Sequence, residues 1–188
     1  MGMLQTAREW TAEMVRALPE DGYRYECVDG ELFVTPAPRL LHQRAILTLT
    51  RLLHDYVSRH RIGELLFSPA DIEFDAKTLV QPDLFVAPMV EGRRPRNWPE
   101  IHELLLAVEV LSPSTARADR QVKRRKYQRQ GVPEYWIVDL DARLVERWRP
   151  GDQRPELLEV QLAWQPVPDV PPLVIDLNVF FAEVLDDR

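Results

Sequence analysis

Apolar residues along the chain change period several times, and each change marks an element. Thr11 to Leu18 has helical spacing and is stopped by Pro19, Asp21 and Gly22. Tyr23 to Val28 and Leu32 to Thr35 are rich in β-formers and flank Asp29-Gly30, a dipeptide suited to a two-residue hairpin turn. From Arg39 to Arg61, Leu41, Ala45, Leu49, Leu52, Leu53 and Val57 recur on one face, which predicts a long amphipathic helix closed near Gly63. Four strand candidates follow: Glu64 to Phe67, Ala70 to Phe74, Asp83 to Ala87, and Leu104 to Leu111. Met89 to His102 is charged and proline-containing and reads as a loop or short helix.

The segment Leu104 to Val110 is continuously apolar except for Glu109, as expected of a strand buried on both faces. Ser112-Pro113-Ser114-Thr115 then opens a basic helix, with Ser114 or Thr115 as its N-cap, running to Gln130 and Gly131. Glu134 to Leu140 is a second central strand, and Leu144 to Trp148 pairs with it across a turn at Asp141-Ala142. Edge strands and a short final helix, Val179 to Val184, complete the pattern. Strand, helix, strand from Leu104 to Leu140 is a crossover unit. The predicted class is α/β: one domain over residues 1–188, with a mixed sheet flanked by helices, an N-terminal hairpin and a long helix.

Composition narrows the compartment and the partners. Cys27 is the single cysteine, so no intramolecular disulfide can form and a reducing, cytoplasmic setting is expected. Met1 to Glu13 mixes Arg8, Glu9 and Trp10 and lacks the pattern of a secretory leader. The most apolar run, Leu104 to Val108, is too short to span a membrane. The net charge is −6, which argues against a general nucleic-acid coat. Charge is concentrated, however: Arg117 to Arg129 holds seven basic residues against Asp119, a local +6 that leaves −12 on the remainder. One basic helix on an acidic body suits a local phosphate contact, through Arg117, Arg120 and Arg124.

Two acids interrupt oily strands. Asp83 lies in Val80-Gln81-Pro82-Asp83-Leu84-Phe85-Val86, and Glu109 in Leu105-Leu106-Ala107-Val108-Glu109-Val110-Leu111. A buried carboxylate is costly unless it is paired or binds a cation. Two on neighbouring strands would repel each other unless positive charge lay between them. Mg2+ takes one or two carboxylates and keeps several waters, so it fits such a pair.

These residues resemble the PD-(D/E)xK restriction-endonuclease-like superfamily and, more closely, the Uma-type restriction endonuclease family. The resemblance runs from Tyr23 to Phe180. It is carried by Tyr25-Glu26-Cys27-Val28-Asp29-Gly30-Glu31-Leu32, His42-Gln43, Gln81-Pro82-Asp83, Val108-Glu109-Val110-Leu111-Ser112-Pro113-Ser114-Thr115, Asp119 with Lys123 and Tyr127, and Gly131-Val132-Pro133-Glu134-Tyr135-Trp136-Ile137-Val138-Asp139. It implies a restriction-endonuclease-like core, a metal-dependent DNA endonuclease, and Mg2+ or Mn2+ held by Asp83, Glu109 and the backbone carbonyl of Val110. The superfamily places a lysine two residues after the second acid, where this chain has Leu111. The resemblance implies that the lysine has moved to the next helix. Lys123 fits best, because Asp119, Lys123 and Tyr127 share one face; Lys126 replaces it if the other edge of that face points inward. Glu31 and His42 are further candidates for the same cleft. A homodimer is expected for cleavage of both strands, with Leu144 to Trp148 or the Pro166 to Pro172 segment as contacts. The second reading is a nuclease-fold protein that binds nucleic acid or a protein partner without catalysis.

Overall fold

The computed structural model describes residues 9–186; residues 1–8, and with them most of the Met1 to Glu13 segment, lie outside the described residues. A short helix α1 (Ala12–Arg16) is capped by the Thr11 side chain, which accepts the Met14 N–H. The hairpin β1 (Arg24–Val28) and β2 (Glu31–Thr35) follows, antiparallel in the register set by Asp29-Gly30. Both turn residues have positive φ, as a tight hairpin of this hand requires. The helix α2 (Leu40–Arg59) buries Ala45, Leu49, Leu53 and Val57 of the face read from the sequence, while Leu41 and Leu52 at its margins are exposed.

Next come β3 (Gly63–Phe67), β4 (Ile72–Asp75), β5 (Thr78–Val80) and β6 (Leu84–Pro88). The strand β5 was not expected; three residues between a turn and Pro82 carry too little pattern to announce it. A 3-10 turn, Trp98–Glu100, interrupts the loop before β7 (Leu106–Val110).

The basic helix α3 differs from its expected form. It opens with a π-helical segment, Ala118–Lys123, and continues as α-helix through Arg124–Arg129. Neither Ser114 nor Thr115 makes the expected cap. Instead the hydroxyls of Ser112, Ser114 and Thr115 bond to one another in a turn before the helix. The remaining elements are β8 (Glu134–Asp139), β9 (Leu144–Trp148), β10 (Glu156–Leu158), β11 (Gln161–Trp164), β12 (Leu173–Asp176) and α4 (Leu177–Leu185).

The central sheet has six strands in the order β10-β9-β8-β7-β6-β3. It is mixed: β7 and β8 are parallel, joined by the crossover through α3, and every other neighbour is antiparallel. The strand β9, a candidate homodimer contact on the sequence, is covered by β10. A second sheet, β2-β1-β5-β4, carries the hairpin, and β11 pairs with β12.

Side-chain alternation divides β7 between two cores. Leu106, Val108 and Val110 face α2, α4 and the β11–β12 pair, among Trp136, Trp164 and Phe180. Ala107 faces the other way, toward the second sheet and α3, with Phe85, Tyr127, Tyr135 and Ile137. Glu109 shares that second face by alternation. The candidate chemistry therefore lies between two sheets and a helix. Among the described residues, no helix is long and apolar enough to cross a membrane.

Candidate active site

Asp83 and Glu109 come together because their strands are neighbours. Leu84 pairs with Val108 across β6 and β7, and the antiparallel register continued by one residue sets Asp83 opposite Glu109. Paired residues in such a ladder point to the same face. Both carboxylates are 1% exposed.

Three donors from three elements hold Asp83. Its Oδ1 accepts from Arg24 Nη1 at 2.7 Å, Arg24 standing at the start of β1. Its Oδ2 lies 2.9 Å from His42 Nε2, on the first turns of α2, and accepts the Val110 N–H at 2.9 Å. Burial alone would raise this carboxyl; the His42 hydrogen bond and the Arg24 charge outweigh it and hold Asp83 below the usual carboxylate range.

Glu109 is held from the opposite side. Lys123 Nζ donates to Glu109 Oε1 at 3.0 Å and lies 2.8 Å from Glu26 Oε2 and 3.7 Å from Asp119 Oδ1. Glu26 comes from β1, and its other oxygen accepts the Gln81 N–H at 2.7 Å. Burial pushes Glu109 well above its ordinary value, despite the Lys123 charge, with Asp83, Asp119 and Glu26 adding to the rise. Burial likewise pushes Asp119 up to about 6. Lys123 moves the other way: burial disfavours its ammonium, but Glu109, Glu26 and Asp119 together keep it protonated.

The cluster thus holds four buried carboxylates, Glu26, Asp83, Glu109 and Asp119, against the cations Arg24 and Lys123, with His42 at its edge. Negative charge is in excess, and Asp119 Oδ1 is buried without a hydrogen-bond partner. That excess suits a divalent cation, and the donor chemistry of Asp83, Glu109 and a backbone carbonyl fits an ion that completes its shell with water. Among the described residues, no group of three or more His, Cys, Asp and Glu side chains is disposed to hold a metal unaided.

An open cleft of about 1090 Å³ reaches this cluster from one side. Arg24, His42, Asp83, Val110, Ser112 and Arg120 line it; Glu109 and Lys123 lie behind its wall.

The remaining candidates are placed as follows. Lys126 lies apart from the cluster, buried at 5% and paired with Asp29 and Asp75, so it ties the helix to the hairpin turn and to the end of β4. Glu31 is exposed on β2, opposite Val28 at the hairpin turn. Arg120 lines the cleft but is bound to Glu146 and Asp139, at 2.6 and 2.9 Å. The Arg124 guanidinium sits over Trp148, 4.6 Å from the ring centroid. Arg117 is exposed. Arg24, Glu26 and Asp119 belong to the cluster without having been singled out as site residues. Glu26 had a legible signal, since it interrupts Tyr25-Cys27-Val28 as Glu109 interrupts its own strand. Arg24 had none, because an arginine at a strand start is ordinarily solvated.

The comparisons agree with this architecture. A putative nuclease belonging to DUF820 from Anabaena variabilis, known from a crystal structure, superposes with a TM-score of 0.74 at 20% identity, covering 93% of this chain and 99% of that one. At that identity the likeness establishes a shared fold. No curated protein matches the sequence. The family model described as "Uma2: Putative restriction endonuclease" matches residues 12–179, which includes every strand and helix that builds the cluster. On that match, the chain belongs to the Uma2 family.

Proposed function

We propose that this protein is a metal-dependent endonuclease that hydrolyses phosphodiester bonds in DNA, with Asp83, Glu109 and Lys123 as its catalytic centre. One observation carries the reading: two carboxylates from adjacent strands share a face beside a cleft, with a buried lysine from the crossover helix held against one of them. Asp83, Glu109 and the Val110 carbonyl would hold Mg2+ or Mn2+, which supplies Lewis acidity toward a phosphate and a nearby water. Arg24 and His42 fix the orientation of the Asp83 carboxylate. Glu26 and Glu109 hold Lys123 as an ammonium, and its charge offsets the negative charge that develops on the phosphate in the transition state. Arg117, exposed on the basic helix, would meet the nucleic-acid backbone without reading sequence. A homodimer would present two such sites to one nucleic acid. For that contact β10, with Leu157 exposed, is a better edge than β9.

The test is nicking of supercoiled plasmid in Mg2+ or Mn2+ by the wild type and by Asp83→Ala, Glu109→Ala and Lys123→Ala. Each variant should lose activity by about 10²-fold or more. Equal activity in all four proteins would contradict the assignment.

A second reading, binding without catalysis, draws on a different observation. Arg24, His42 and the Val110 N–H already engage Asp83, and Lys123 does not reach the cleft surface. Mn2+ affinity that is independent of Asp83 would favour it.

A further inference from the structure

We infer that the cleft receives an unpaired nucleotide, stacked on Tyr23 and Phe67, rather than an intact base-paired duplex. This rests on the nuclease reading of the same site and narrows its substrate class. Tyr23 and Phe67 are 53% and 55% exposed, and both line the cleft with Asp83. The contact between their chain neighbours draws the two segments together: Arg24 Nη1 donates to Ser68 Oγ at 3.4 Å and to Asp83 Oδ1 at 2.7 Å. Large aromatic side chains left in solvent beside a buried carboxylate offer free π-faces. A base stacks on such a face only when it is not already stacked within a duplex.

Charge points the same way. A duplex presents one negative charge for about every 1.7 Å of its axis, so gripping it takes a row of free cations. The basic helix does not supply one. Of its seven cations, Arg120, Lys123, Lys126 and Arg129 are ion-paired and Arg124 lies over Trp148, which leaves the exposed Arg117 and Arg125 rather than a row. The cleft itself holds five acidic residues against four arginines. Three of those arginines, Arg16, Arg24 and Arg120, are ion-paired, which leaves Arg39. Two rings and one free guanidinium suit a single nucleotide: a base to stack and a phosphate to neutralise. The cleft's volume, about 1090 Å³, is at the upper end of small-ligand pockets.

DNA and RNA can both supply an unpaired nucleotide, and the experiment separates them. Fluorescence anisotropy, in EDTA to suppress cleavage, compares a labelled 12-mer single-stranded DNA, the same sequence as RNA, and the corresponding DNA duplex. One single strand should bind about tenfold or more tightly than the duplex, and which one identifies the source. Tyr23→Ala and Phe67→Ala should each weaken that binding by about five- to a hundredfold, the worth of one stacked base. Tyr23→Phe should restore it, since it keeps the ring. Unchanged melting temperatures would show that these exposed positions leave the fold intact. Duplex binding as tight as single-strand binding, or alanine variants that bind like the wild type, would overturn the inference. So would absence of binding to all three probes. Plasmid cleavage with no single-strand preference would sink this inference and leave the nuclease reading standing. Ring-dependent single-strand binding without cleavage in Mg2+ or Mn2+ would do the reverse.

Discussion

Lys123 lies between Glu26 and Glu109, almost out of contact with solvent, so its removal leaves two buried carboxylates facing each other. Breaking such a buried pair from one side costs about 3 to 5 kcal/mol. Lys123→Met should therefore lower stability by that order near pH 8 in chemical denaturation. The loss should shrink as pH falls, because protonating a carboxylate removes the uncompensated charge. Asp119 sets a pH dependence of its own. Its folded pKa, about 6, lies above its ordinary 3.8, so the folded chain binds this proton more tightly than the unfolded chain. That preference stabilises the fold at low pH and is lost as pH rises through the folded value. The stability of the wild type relative to Asp119→Asn should thus fall between about pH 4 and pH 7. A flat difference across that window would contradict the burial-driven rise. Asp83 behaves oppositely, since its folded pKa is depressed: its contribution is present above 3.8 and lost only under stronger acid.

At the scale of elements, helix α3 decides which lysine enters the site. Lys123 is directed to the carboxylate cluster and Lys126 to Asp29 at the hairpin turn and Asp75 at the end of β4. Those two acids are nearly half exposed, so the Lys126 pairs are screened and contribute about 1 kcal/mol or less. Lys126→Met should keep wild-type plasmid cleavage with a small loss of stability, whereas Lys123→Met should abolish cleavage. The opposite outcome would exchange their roles. The sequence favours Lys123 and leaves Lys126 as its alternative, because the two sit on adjoining edges of one helical face, and the π-helical segment Ala118–Lys123 shifts the phase on which a 3.6-residue reading depends. Asp83 and Glu109 were legible because each breaks a run of oily residues on a strand. The crossover through α3, the hairpin and α2 were legible for the same kind of reason, namely long periodic runs bounded by turn residues. Strand β5 and the partner Arg24 were not. Three residues give no period, and pairings between residues distant in sequence leave no local mark.

The whole molecule is acidic, with a net charge of −6, and its basic helix spends most of its charge on internal partners. Nucleic-acid binding should therefore depend weakly on salt. A single strand contributes a slope of about −0.7 in log affinity against log salt for each phosphate neutralised. One or two contacts, through Arg39 and Arg117, should give a slope no steeper than about −1.5, and a much steeper one would mean a phosphate track that the ion pairing excludes. The deeper question is why the fold tolerates four buried carboxylates on only two firm cations. Calorimetric titration with Mn2+ in the absence of nucleic acid addresses it most directly. One Mn2+ should bind per chain in the wild type, with that binding lost in both Asp83→Ala and Glu109→Ala. No binding to the wild type, or undiminished binding to both variants, would contradict a divalent-cation centre at these two strands.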